Sequence, residues 1–332
     1  MVRTGPKNLI TDVAGLRVGN AGDDRLKSGV TAILCEQPTI AGVQVLGGAP
    51  GTRETDLLEA HNTVEAVHAL VLSGGSAFGL DAASGAQAWL REQGVGFEVA
   101  GFRVPIVPAA ILFDLANGGD KNWGRYPPYR DLGYEAAQNA AHHFSIGTAG
   151  AGLGALTATL KGGLGSASCL LDSGVALGAL VAANPVGSVT VGSTRQFWAA
   201  PFEIGEEFGG LSHPCPFPAE ARAVRTKFDA QEGANTTIAV IATDAVLSKA
   251  AAKRLAIAAH DGFARAIWPT HTPFDGDLVF ALATGKSGIE LSPQAAIELY
   301  AQAGAVMARA IARGVYAATP AEGDLFPAWA AP

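Results

Sequence analysis

The candidates for chemistry in this chain stand at the mouths of apolar strands. Asn235-Thr236-Thr237 runs without a spacer into Ile238-Ala239-Val240-Ile241-Ala242, so a hydroxyl sits where a buried strand opens onto the floor of a cleft. Such a hydroxyl is a weak nucleophile until a base takes its proton. Self-cleavage of the Asn235-Thr236 bond would supply one, because the freed α-amine of Thr236 has an ordinary pKa of ~7.7 to 8. Lys161, Asn184 and the pair Asp275 and Asp277 stand at comparable strand ends. A cation such as Lys161 biases a neighbouring amine towards its free base. An amide such as Asn184 can donate to a tetrahedral oxyanion, an interaction often worth ~3 kcal/mol, and the carboxylates can hold the amine or hydroxyl in place. Each residue also has a plain reading: Thr suits strands by its β-branched shape, Asn184 before Pro185 forms a turn, and a strand-end lysine is solvated.

The elements that must position these residues follow from periodicity and punctuation. Apolar runs predict strands over 10–19, 29–35, 67–72, 109–115, 156–161, 174–183, 237–242 and 278–282. Helices are expected over 78–92 and 134–144, from the Ser248 cap to about 266, and from Ser292-Pro293 to a stop at Gly314. The stretch 197–233, rich in Pro, Gly and charge, reads as a long exposed loop leading to the Asn235-Thr236 bond. Gly47 to Asp56 is a turn-rich loop that can line a site.

Two motifs fail on context. Gly150-Ala151-Gly152-Leu153-Gly154-Ala155 matches a dinucleotide fingerprint formally, but strand-like alternation follows it where a helix is required. Ser73-Gly74-Gly75-Ser76 resembles a nucleophile elbow, yet Phe78 occupies the position that needs glycine.

A chain of 332 residues with 48% hydrophobic content has enough material for a large core; the length fits one large domain or two of ordinary size, and nothing in it reads as a clear linker or repeat. Only 16% of residues are charged and the net charge is -7, which offers nothing to nucleic acid or a membrane surface and points to a small substrate. Cys35, Cys169 and Cys215 are an odd number without metal-ligand spacing, and the seven histidines show none either. No metal or cofactor is implied. The N-terminus lacks a secretory apolar region and no apolar run reaches ~18 residues, so the expectation is a cytoplasmic, soluble protein. Glycine, at 42 residues, suggests sheets approached closely by other backbone.

The motifs also carry a family likeness. Thr11-Asp12-Val13, Gly48-Ala49-Pro50-Gly51-Thr52, Ser73-Gly74-Gly75-Ser76, Lys161-Gly162-Gly163, Asn184-Pro185-Val186-Gly187, Asn235-Thr236-Thr237 and Asp275-Gly276-Asp277 occur in an order that resembles the DmpA-type L-aminopeptidase/D-esterase family, which includes the nylon-oligomer (6-aminohexanoate-oligomer) hydrolases. The resemblance implies a four-layer αββα sandwich and self-cleavage into chains 1–235 and 236–332. It implies a site in which Thr236 is the nucleophile, Lys161 and Asn184 assist, and Asp275 and Asp277 orient, in protomers that assemble into tetramers or larger. The substrates it implies are short unblocked peptides, amino-acid amides or ω-amino-acid oligomers. Phe113 stands where relatives place a pocket tyrosine, and Asp-Gly-Asp resembles the nylon-hydrolase branch, where β-aminopeptidase members carry Ser and Glu. Ornithine acetyltransferases resemble the family in fold and self-cleavage, which keeps an acyl transferase as the alternative. The residues before Thr236 lack that group's Lys-Gly and Met-Ala-Thr-Met-Leu pattern.

Overall fold

The computed structural model describes residues 2–227 and 235–330. Its strands in chain order are β1 (Leu16–Asp23), β2 (Ser28–Val45), β3 (Thr52–Arg53), β4 (Ala66–Ser73), β5 (Phe97–Val99), β6 (Phe102–Val104), β7 (Ala109–Ile111), β8 (Gly163–Leu170), β9 (Ala176–Ala183), β10 (Ile238–Thr243) and β11 (Leu278–Ala283). The helices are α1 (Ala82–Glu92), α2 (Tyr129–Gln138), α3 (Lys249–Ala266) and α4 (Pro293–Tyr316).

One strand organises the architecture. β2 is 18 residues long where the sequence suggested seven, and its pairing shifts register between Leu34 and Thr39, around Pro38. Proline cannot donate to a ladder, so the strand bends there. Its first part pairs with β1 and β4, and its last six residues pair with β11. The strand order β3-β7-β4-β2-β11-β10-β9-β8 is therefore folded over at β2 into two facing halves. Leu70 and Leu72 of β4 share one core with Leu180 and Ala182 of β9, although β2, β11 and β10 lie between them in the ladder.

Strand alternation supplies the other layers. In β10, Ile238, Val240 and Ala242 face the inter-sheet core, while Ala239 and Ile241 face α3 and α4. In the other half, Val30, Ala32, Ala69 and Val71 pack under α1 and α2. The result is the αββα layering. β10 and β11 run parallel, with α3 as the crossover.

Several expectations change. Residues 156–161 form a tight loop closed by a bridge between Leu156 and Lys161, and Gly163 opens β8 rather than ending a strand. The cause is close approach: a Cβ on Gly163 would meet the Gly314 carbonyl at 2.2 Å, so α4 closes on β8 only because both residues are glycine. For the same reason Gly314 lies inside α4, which runs on to Tyr316. The second expected helix lies five residues earlier, at Tyr129. The described part of the 197–233 loop is also not simply exposed. Phe197 and Phe208 are core residues, and Glu207 accepts bonds from Arg309 at 2.6 and 2.9 Å, which ties the loop to α4. Among the described residues no helix is long and apolar enough to cross a membrane.

Candidate active site

The ends of β9, β10 and β11 converge on the Asn235-Thr236 bond. Thr236 is buried, and its N–H donates to the Asn184 carbonyl at 3.1 Å, at the end of β9. Its hydroxyl donates to the Asn235 carbonyl at 2.5 Å. That same carbonyl accepts the Gly276 N–H at 3.0 Å. A backbone donor thus already rests on the oxygen that would become negative if the Thr236 hydroxyl attacked the carbonyl carbon, as an oxyanion hole requires.

The two aspartates are brackets on either side of Gly276. Asp277 is fully buried, and its Oδ1 accepts the Thr237 N–H at 2.8 Å. Its Oδ2 accepts from Thr270 Oγ1, from the His271 main chain and from His271 Nδ1 at 2.9 Å. Asp275 Oδ1 accepts the Val186 N–H at 3.0 Å, just past Asn184, and its Oδ2 accepts the Thr272 hydroxyl at 2.7 Å. Burial, with the neighbouring Asp277 charge, pushes the Asp275 carboxyl up to about 6. The Gly47 loop holds this bracket from below: Gly47 and Ala49 donate to the Asp277 and Asp275 carbonyls at 3.0 and 2.8 Å. A Cβ on Gly47 would meet the Asp277 nitrogen at 2.2 Å, which explains glycine there.

Asn184 is the hub. Its Oδ1 accepts the Leu156 N–H at 2.9 Å, and its Nδ2 donates to the Phe113 carbonyl at 3.0 Å. Phe113 itself is half-buried beside this contact. The structure therefore brings Asn235, Thr236, Asn184, Asp275 and Asp277 together, with Phe113 joined through its main chain. Lys161 is buried close to the C-terminal segment. Its ammonium bonds Asp324 at 2.7 Å and its N–H bonds the Pro327 carbonyl.

Sequence reasoning missed Lys227. This residue follows an Arg-Thr pair in a stretch with no periodicity, yet its ammonium is fully buried and donates to Asn184 Oδ1 at 2.9 Å and to the Asn184 carbonyl at 3.2 Å. Burial lowers its pKa to about 7, against the opposing pull of Asp275, Asp114 and Asp277. Asp114 is a second missed group. It accepts from the Gly75 N–H and the Ser28 hydroxyl, both at 2.7 Å, and burial raises its pKa. Among the described residues no group of three or more potential metal ligands occurs.

Residues 8–325 match Peptidase family S58. The chain belongs to this peptidase family. It is 45% identical to an uncharacterized aminopeptidase of Mycobacterium bovis, over 96% of this chain and 98% of the relative. A 6-aminohexanoate-oligomer endohydrolase of Kocuria sp. is 28% identical over 87% of this chain and 79% of its own. Among solved structures, the L-aminopeptidase D-Ala-esterase/amidase of Ochrobactrum anthropi, described as a variant of the Ntn hydrolase fold, superposes with a TM-score of 0.74 over 98% of this chain and 92% of its own. At 24% identity that likeness speaks for the fold. Family membership makes this S58 chain a hydrolase of amide bonds.

Proposed function

We propose that this S58 peptidase cuts its own Asn235-Thr236 bond and then uses the N-terminal Thr236 to hydrolyse amides of short, unblocked substrates. The observation that carries the reading is the Asn235 carbonyl, which is held by the Gly276 N–H at 3.0 Å and the Thr236 hydroxyl at 2.5 Å. In the first stage the Thr236 oxygen attacks that carbonyl and the Thr236 nitrogen takes up a proton as the amide breaks, leaving an ester. Water then hydrolyses the ester and releases residues 1–235 and 236–332.

In the second stage the freed amine is the base for the Thr236 hydroxyl, and the Gly276 N–H, vacated by Asn235, is available to a substrate oxyanion. Asp277 fixes the strand through Thr237, and Asp275 and Asn184 fix the neighbouring turn. Lys161 completes the expected set as an electrostatic assistant, and its tie to Asp324 makes Lys161→Met the variant that measures how far that assistance reaches.

The substrate class follows from access and charge. Thr236, 3% exposed, lies too deep for a folded polypeptide. Buried carboxylates at 114, 275 and 277, in a chain of net charge -7, favour a substrate with a free ammonium. The names of the relatives agree with amino-acid amides, short peptides or linear 6-aminohexanoate oligomers. Assembly of processed protomers into a tetramer belongs to the same reading.

Intact-mass analysis of purified protein tests the first stage. Two masses split at 235/236 are expected, with Thr236→Ala a single inactive chain; an active wild type that stays whole rejects the scheme. For the second stage, leucine amide, a β-alanine dipeptide and a 6-aminohexanoate dimer are assayed with and without N-acetylation. Equal rates for acetylated and free forms reject ammonium recognition. Acetyl transfer from N-acetylornithine to glutamate, with all amides inert, selects the transferase alternative.

A further inference from the structure

Lys227 is a buried cation that the scheme above does not use. It lies nine residues before Thr236, on the segment whose end scission would free. Its ammonium and the Thr236 N–H donate to the same acceptor, the Asn184 carbonyl, at 3.2 and 3.1 Å. The ammonium also holds Asn184 Oδ1 at 2.9 Å, while its own main-chain N–H donates to the Val186 carbonyl at 3.0 Å. Val186 in turn donates to Asp275. The side chain therefore meets Thr236 at the Asn184 carbonyl, and the main chain of the same residue is linked through Val186 to Asp275.

We propose that Lys227 is a positioning residue for scission: by gripping both oxygens of Asn184 it holds the carbonyl that anchors the Thr236 nitrogen, and so keeps the Asn235 carbonyl against Gly276 and the Thr236 hydroxyl. The inference rests on Thr236 being the self-cleaving nucleophile. Its basis is a donor count. Among the described residues Asn184 offers two oxygens to three separate donors (Leu156 N–H, Thr236 N–H and the ammonium), and of these three the ammonium is the one that bridges the side-chain and main-chain oxygens.

Among the described residues the charged groups facing Lys227 are Asp275 and Asp277 from the turn before β11 and Asp114 from the segment after β7. An ammonium donates more strongly than a neutral amine. Its grip should therefore weaken as pH rises through its pKa of about 7. That sign is opposite to the one expected for turnover under the proposed second stage, where the Thr236 amine must be unprotonated to act as the base.

The test follows the full chain after pulsed cell-free synthesis, with the two-chain product measured against time from pH 5.5 to 8.5. Wild type, Lys227→Met and Lys227→Gln are compared, with thermal melting as the control for folding. Folded Lys227→Met should be cut at least tenfold more slowly than wild type at pH 6, with Lys227→Gln intermediate. The ratio of wild-type to Met rates should fall at least threefold between pH 6 and pH 8.5. A folded Met or Gln variant cut within threefold of wild type at pH 6 overturns the proposal. So does a ratio that stays constant with pH, which marks a purely structural lysine. A wild type that is never cut overturns it together with the Thr236 reading, whereas failure of the lysine variants alone leaves Thr236 standing.

Discussion

At the scale of single residues, Gly276 is packed directly against the Thr236 hydroxyl. A Cβ there would lie 2.7 Å from the Thr236 hydroxyl oxygen and 2.6 Å from the Ala49 carbonyl. Gly276→Ala keeps the N–H donor but displaces both the hydroxyl and the Ala49 carbonyl, so scission should slow at least tenfold in protein that still folds with a lowered melting temperature. Gel densitometry against time checks this, and unchanged scission would place the reacting geometry elsewhere. Asp275 gives a pH-dependent counterpart. Its folded pKa, about 6, lies above the ordinary carboxylate value. The folded state therefore holds the proton that the unfolded chain releases, and stability falls as pH rises from about 4 through about 6. In Asp275→Asn that loss is absent, so the difference in melting temperature, variant minus wild type, should increase between pH 4 and pH 7. A difference that stays flat or decreases contradicts a raised pKa. The residues of this site were legible in the chain where chemistry coincides with a strand end, as at Asn184, Thr236, Asp275 and Asp277. Lys227 was not, because it meets Asn184, 43 positions away, only through burial in the folded chain, and no local pattern records that.

At the scale of elements, close backbone approach sets what is tolerated. The axis of α4 comes so near β8 that a Cβ on Gly165 would stand 1.8 Å from the Ala310 carbonyl. Gly165→Val should cost several kcal/mol, within the range of severe core overpacking, and urea unfolding measures it. The glycine content announced close packing without saying which glycines meet, since Gly163 and Gly165 come to lie against α4 only in three dimensions. The starts of the last two helices were easier: Ser248 and Ser292 cap α3 and α4 as their sequence signals indicate, with hydroxyls accepting from Ala251 and Ala295. The anchored loop before Lys227 was harder, because its ties are long-range. Arg309 is 1% exposed and is satisfied by Glu207, Asn8 and the Ser168 carbonyl. Glu207 is half-buried, which alone would raise its pKa, yet its bonds to Arg309 hold its carboxyl below the ordinary value. Glu207→Gln leaves that guanidinium with weakened partners and should destabilise by ~3 kcal/mol. Because a depressed carboxylate stabilises above its unfolded pKa and loses that contribution as pH falls, the deficit should shrink in acid. A deficit that is constant with pH would assign the loss to packing alone.

At the scale of the whole molecule, the proposed cut has a topological consequence. The strands and helices after residue 235 are β10, α3, β11 and α4, and these are interleaved with the rest rather than appended to it. β10 pairs with β9 on one side, and β11 pairs with the far end of β2 on the other. The C-terminal chain thus supplies two neighbouring strands in the middle of the ladder, each buried along its whole length. Their side chains fill two cores at once: Val240, Phe280 and Leu282 lie between the sheets, and Ile241 and Val279 lie under α3 and α4. Withdrawal of residues 236–332 would strip hydrogen bonds from β2 and β9 together and open both cores, which amounts to unfolding. The processed protein should therefore run as two bands on a denaturing gel but as one species in native mass spectrometry, with every mass an integer multiple of the sum of both chains. The chains should part only at the denaturant concentration where circular dichroism is lost. Elution of a free 236–332 chain from folded protein would contradict this interleaving. A smallest native species of four pairs would match the expected tetramer, whereas a species of one pair would leave the protomer complete by itself.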